Sequence, residues 1–190
     1  PLAGGPQALV HLVEGLPFAT ALAAILAAHE FGHYIAARRW GLSVSLPYFL
    51  PLPFVSFLGT LGAVIKLRTA IPHRRALLDI GAAGPLAGLL VALAACVAGL
   101  HQAQVVDADY FQPEAPIRLG SSLLFTALAH LFGPPAEDGQ LVLLSPVAFA
   151  GWVGLFITAF NLLPIGQLDG GHIVYALFGR AHARVARLCF

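Results

Sequence analysis

Charged residues are scarce in this sequence. Only 10% of its 190 residues are Asp, Glu, Lys or Arg, against 58% in the hydrophobic class. A soluble domain carries roughly 25% charged residues, so this chain lacks the polar surface to face water all round. That excludes an ordinary water-soluble globule and leaves an integral membrane protein of one domain, residues 1–190. The formal net charge of +1 offers no strongly basic surface, and no nucleic-acid partner is expected. Cysteine is nearly absent too. Cys96 and Cys189 alone make neither a disulfide framework nor a cysteine zinc cluster, and Cys96, in an apolar run, reads as packing. Methionine is missing altogether, the first residue is Pro1, and no signal peptide is visible. The chain is therefore expected to be a trimmed piece of a longer protein. Internal repeats and low-complexity tracts are also lacking.

What is present is apolar length. A helix needs about 20 apolar residues to cross a bilayer. Three segments meet that requirement: 17–39 (PFATALAAILAAHEFGHYIAARR), 77–100 (LLDIGAAGPLAGLLVALAACVAGL) and 141–163 (LVLLSPVAFAGWVGLFITAFNLL). A shorter segment, GSSLLFTALAHLFG at 120–133, reads as an interfacial or half-membrane helix. Residues 38–75 hold Arg38, Arg39, Lys66, Arg68, Arg74 and Arg75 and no acid, whereas 101–140 hold Asp107, Asp109, Glu114, Glu137 and Asp138 against Arg118 alone. The tail carries Arg180, Arg184 and Arg187. Lys and Arg mark the cytoplasmic side. The first span thus runs toward the cytoplasm, the second returns, and the third runs in again.

Residues 44–65 complicate this scheme. The segment is apolar, but Pro47, Pro51, Pro53, Gly59 and Gly62 suit no straight helix, and its second half is rich in β-branched and aromatic residues. A single crossing here would also put the ends of the first and third spans on opposite sides. A re-entrant extended hairpin is expected instead, shielded by protein or lining a wet cavity, with an edge able to take an extended peptide. The expected fold class is an all-α polytopic membrane protein with three core transmembrane helices, a re-entrant β hairpin and a short interfacial helix.

The first span carries HEFGH at 29–33. Ionisable groups inside a membrane helix are costly and generally functional. Residues four apart share a helix face, so one divalent cation can bridge the His29 and His33 imidazoles at about 2.0–2.1 Å. Glu30 lies about 100° further round, which suits a proton-accepting carboxylate better than a third ligand. Two hydrogen-bonded core histidines matching the pattern by chance are the bland alternative, and an apolar span is a poor place for them. A catalytic zinc site wants a third protein ligand. His11 precedes the span, His73 lies in the basic loop, His101 and His130 fall on the opposite side, and His182 is in the tail. Asp79 reads as a cap or a buried partner. That leaves NLLPIGQLDGGH at 161–172, where Asp169 follows the Pro164 break and Gly170 and Gly171 let the backbone turn beside a site. His33 is about 9 Å from the cytoplasmic end of its helix. A loop re-entering from that face could bring Asp169 to it.

HEFGH paired with NLLPIGQLDGG at 161–171 resembles the site-2 protease family of intramembrane zinc metalloproteases. GTLGAVI at 59–65 and GPLAG at 84–88 are similar to that family's intervening segments, and the likeness covers roughly 17–179. The resemblance implies one zinc ion held by His29, His33 and Asp169, with Glu30 as the catalytic glutamate. It also implies that Asn161 is a polar group near the substrate or oxyanion. Substrates would be single-span transmembrane proteins, and the setting a cell (inner) membrane with the active site toward the cytoplasm. The family's three-helix core agrees with the three spans. Two departures stand out. Residues 101–140 are too short for the PDZ domain of many bacterial members, which implies a PDZ-free subgroup. Gly166 and Gln167 stand where many members carry Pro, which implies a looser loop.

Other residues carry blander expectations. Gly81, Gly84 and Gly88, with Ala82, Ala83 and Ala87, read as close helix packing; a gap for substrate entry is the sharper alternative. His172 begins the last short helix or stands behind the ligands. Trp40 reads as an interface anchor, Trp152 as packing, and 101–119 as a solvated acidic loop. Two rival functions stay open: a membrane metal transporter or sensor, and a catalytically inactive scaffold that binds transmembrane helices. A transporter has no need of Glu30, so Glu30→Gln separates it from a protease.

Overall fold

The computed structural model describes residues 6–51, 60–108 and 119–181. Its helices are α1 (Pro6–Arg39), α2 (Arg74–Leu100), α3 (Leu123–Phe132), α4 (Pro146–Asn161) and α5 (Asp169–Phe178). Two two-stranded antiparallel sheets interrupt them, β1 (Tyr48–Pro51) with β2 (Thr60–Val64) and β3 (Gln104–Asp107) with β4 (Gln140–Leu143). The chain divides into two compact units. The first comprises Pro1–Leu22 and Ala92–Val153, the second Ala23–Val91 and Gly154–Phe190.

Among the described residues, two helices are long and apolar enough to cross a membrane, α1 over Val13–Arg39 and α2 along its whole length. The third expected segment, 141–163, is not among them, and its helix is shorter than the sequence suggests. Residues 141–143 belong to β4, and α4 starts only at Pro146, leaving 16 residues. At 1.5 Å per residue that is about 24 Å, short of a hydrocarbon core of about 30 Å. The start is fixed locally. Ser145 Oγ accepts the Ala148 N–H at 3.2 Å as an N-cap, and Pro146 takes the first helical position, where its missing N–H costs nothing.

In the second unit, α1 ends at a glycine. Gly41 has φ 71°, its N–H reaches Arg38 O at 3.0 Å, and the Leu42 N–H reaches Ala37 O at 3.0 Å. That pair of bonds is a Schellman cap. It folds Leu42 back onto Ala37 and Ile80, and the three form a buried cluster. The Trp40 indole N–H donates to Asp79 Oδ2 at 3.1 Å, and its ring meets His73 edge-on. Asp79 is thus the partner of Trp40. The expected hairpin at 44–65 is present. Tyr48 pairs with Val64 and Phe49 with Ala63, and the register shifts before Pro51, which has no N–H for the ladder. A bridge from Val44 to Leu67 and bonds joining Ser43 and Ser45 to Arg68 and Lys66 extend the pairing outward. Residues 52–59 of the expected hairpin lie outside the described residues.

The first unit holds a two-stranded sheet that the sequence pattern did not announce. β3 and β4 pair without interruption from Gln104↔Leu143 to Asp107↔Gln140, so 104–107 is not simply solvated loop. The short helix expected at 120–133 is α3, capped by Ser122 Oγ on the Phe125 N–H. It leaves Leu123 94% and Leu131 71% exposed while burying Phe125. Cys96 is buried against Gly151, a packing role as expected. Trp152 does more than pack, since its indole N–H donates to Gly120 O at 2.9 Å.

Candidate metal centre

α1 carries His29 and His33 on one buried face. Their Nε2 atoms lie 3.1 Å apart. Asp169, the first residue of α5, places Oδ2 3.2 Å from His29 Nε2 and Oδ1 3.3 Å from His33 Nε2. Two ligands on a tetrahedral ion with bonds of about 2.0–2.1 Å stand about 3.3 Å apart, so the spacing matches the edges of a zinc site. Among the described residues this is the group of three His, Cys, Asp or Glu whose ligand atoms converge as a metal site requires.

Hydrogen bonding makes the same case. His33 Nδ1 lies 2.7 Å from Ile80 O. A carbonyl can only accept, so Nδ1 carries the proton, and in the neutral ring Nε2 presents a lone pair. That lone pair faces the Asp169 carboxylate and the second imidazole. His33 Nε2 and Asp169 Oδ1, both acceptors 3.3 Å apart in a buried place, repel unless a cation or a proton joins them. The donor set therefore fits one Zn2+.

α2 makes room for the rings with glycines. A Cβ on Gly84 would overlap the His33 ring, and one on Gly88 would come 3.1 Å from His29 Cβ. In return, Gly32 of HEFGH lets α1 lie on the Ala83 backbone, where a Cβ would collide with the Ala83 carbonyl. The expected reading of this stripe as close packing was correct but incomplete. What the missing side chains at 84 and 88 admit is histidine. A signal was available: the two glycines of GPLAG and the two histidines of HEFGH are both four apart, a match that antiparallel helices bring into register.

α5 owes its placement to Gly170 and Gly171. Both are helical, so they do not turn the chain as expected; they allow contact. A Cβ on Gly170 would strike the carbonyls of Leu162 and Leu163, and one on Gly171 would come 2.6 Å from Gly166 O. The preceding turn is tied by Ile165 N–H to Leu163 O at 2.8 Å and Leu168 N–H to Ile165 O at 3.1 Å. Gly166 has φ 49°, which proline cannot adopt. The loop thus reaches a defined shape without the family's proline.

Glu30 is half-buried on α1, next to His29 in HEFGH. Asn161 is half-buried as the last residue of α4. His172 lies in the first turn of α5, exposed. His73 caps α2 through the Ala76 N–H, and His101 packs edge-on against Phe132, each engaged elsewhere. His182 lies outside the described residues.

Comparison with known proteins agrees with this geometry. The family model described as peptidase family M50 matches residues 17–188. The chain belongs to peptidase family M50. Its similarity extends to plant proteins named as probable zinc metalloproteases. It is 37% identical over 167 residues to EGY1 of Arabidopsis thaliana, covering 87% of this chain and 30% of that protein. Against EGY1 of Oryza sativa subsp. japonica it is 37% identical over 188 residues, covering 95% and 32%. EGY2 of Arabidopsis thaliana is 34% identical over 179 residues, covering 90% and 30%. The chain thus spans less than a third of the length of these curated relatives. No solved structure matches it. M50 membership, together with two helices of membrane-crossing length and composition, makes this an integral membrane protein.

Proposed function

We propose that this M50 protein is an intramembrane zinc metalloprotease that hydrolyses peptide bonds in membrane-embedded helices of single-span proteins. The observation that carries the reading is the convergence of His29, His33 and Asp169 at 3.1–3.3 Å. In this reading those three residues hold the metal. A bound zinc ion supplies Lewis acidity, polarising the scissile carbonyl and lowering the pKa of a coordinated water to about 7. Glu30 accepts the proton of the attacking water and returns it to the leaving amine. Asn161 donates to the substrate peptide or the developing oxyanion. Ile80 O holds His33 in the tautomer that leaves Nε2 free toward the metal.

A peptide bond in an intact helix is shielded by its own hydrogen bonds, so the substrate must unwind locally. Among the described residues β1 and β2 form a two-stranded sheet, and its outer edges are where an extended segment would dock. We place α4, with the apolar residues that follow it, as a third span, and the whole chain as one protease core within a longer protein. Leu162 and Leu163 are exposed, which suits lipid contact. The basic residues Arg38, Arg39, Lys66, Arg68, Arg74 and Arg75 support a site facing the cytoplasmic side of a cell membrane.

Glu30→Gln tests the reading. A protease retains its zinc and loses cleavage of a single-span substrate by about 10²–10⁴-fold. Retained metal flux, or cleavage undiminished, overturns it.

A further inference from the structure

We infer that Gly84 is a positioning residue for the metal centre, the seat that fixes the His33 ring; the inference rests on the zinc reading above. Three observations meet at this position. The ring occupies the volume that a Cβ on residue 84 would fill, with Nε2, Cδ2 and Cε1 all in the way. One turn earlier on α2, Ile80 O takes the Nδ1 hydrogen bond at 2.7 Å. The opposite ring nitrogen, Nε2, is thereby left 3.3 Å from Asp169 Oδ1 and 3.1 Å from His29 Nε2. Ile80 O and the bare Cα of Gly84 together form a socket with an acceptor at its rim. The acceptor sets which nitrogen carries the proton, and the bare Cα sets how deep the ring lies.

The magnitudes decide that this is more than helix packing. To restore an ordinary carbon contact of about 3.5 Å against an added methyl, the ring must retreat by about 1 Å. A zinc site tolerates about 0.2 Å in its bond lengths. The ring cannot both accommodate a Cβ and keep its place beside Asp169 Oδ1. Gly81, one turn away on the same helix, supplies the contrast. A Cβ there meets Ile173 Cγ1 at 3.4 Å and His172 Cβ at 3.7 Å, ordinary contact distances.

The test compares Gly84→Ala with Gly81→Ala in the full-length protein, purified into lipid nanodiscs. Zinc affinity is measured by chelator competition, and the ligand field by the absorption spectrum of the cobalt-substituted form. Thermal unfolding of the metal-free form reports on packing alone. Gly84→Ala is expected to lose about 10–100-fold in zinc affinity and to weaken the four-coordinate cobalt bands, while Gly81→Ala stays close to the parent. Equal zinc affinity in Gly84→Ala and the parent overturns the inference, as does an equal loss in Gly81→Ala. Should Gly84→Ala fail to fold, the double variant His33→Ala/Gly84→Ala is compared with His33→Ala. Equal unfolding temperatures support the seat, because removing the ring removes the clash, and a double variant that still fails to fold overturns it. A parent protein that binds no zinc at all would instead sink the metalloprotease reading, and the two failures are told apart by that first titration.

Discussion

Glycine builds two helix contacts in this molecule, and it serves a different end in each. Where α1 meets α2, the place left by Gly84 is taken by the imidazole of His33, and Gly88 gives close room to His29, whose Cβ would lie 3.1 Å from an added methyl. Where α2 meets α4, a Cβ on Gly99 would strike the backbone of Ala148, and one on Gly151 would strike Cys96. The first contact admits polar rings and aims them. The second admits only backbone and a small apolar side chain, and brings two helices close. A single hydroxyl seals the second contact, since Ser145 Oγ donates to Gly99 O at 2.8 Å while capping α4. Nearby, an apolar cavity of about 720 Å³ lies among Phe18, Leu100, Phe125, Leu141 and Phe149. A small residue in an apolar helix therefore states that something comes close. The residue opposite decides whether the result is adhesion or chemistry.

Substitutions can break this contrast, and the largest effect is expected at the metal ligands. Asp169→Ala should reduce bound zinc from one per chain to near none and abolish cleavage, with helical content unchanged; elemental analysis and circular dichroism check it. Retained stoichiometric zinc would remove Asp169 from the ligand set. Gly170→Ala should displace the start of α5 from the carbonyls of Leu162 and Leu163, lowering zinc occupancy and costing about 1–3 kcal/mol of stability. Occupancy at the parent level would show that the aspartate does not depend on that close approach.

At the other contact, Gly151→Ala should cost a similar 1–3 kcal/mol or so by overpacking, yet leave zinc affinity per folded molecule intact. Loss of zinc there would erase the distinction between the two contacts. Ser145→Ala should lower stability by about 0.5–2 kcal/mol, the usual range for an N-cap, again without touching the metal. Smallest of all, Trp40→Phe should cost about 0.5–1.5 kcal/mol for the lost hydrogen bond to Asp79. Each is read from denaturation in detergent, with zinc titration alongside.

The features legible in the sequence were those written in local patterns. HEFGH needs only helical periodicity to bring His29 and His33 together. The prolines of 44–53 rule out a straight helix there, and the hairpin follows. The apolar run within 120–133 announces α3. The misses came from elements whose identity depends on a distant partner. Residues 141–143 look like the start of a helix because they are apolar and adjoin one; only pairing with 104–106 makes them part of a strand. Gly170 and Gly171 suggested a turn, because a sequence shows their freedom but not the carbonyls pressing against them. The Ile80 carbonyl was invisible, since every residue has one and only contact singles it out.

By itself the sequence determined that the chain belongs in a membrane, since its charge is too sparse to clothe a surface in water. It also determined that two imidazoles share a helix face, because side chains four apart on a helix cannot do otherwise. The sequence pattern pointed to Asp169, far along the chain, as their partner; only the tertiary structure decided that it meets them at 3.2–3.3 Å, and that His33 turns its Nε2 rather than its Nδ1 toward it. Those outcomes depend on a carbonyl and a missing methyl group on α2, and nothing short of packing one helix against another specifies where such groups fall.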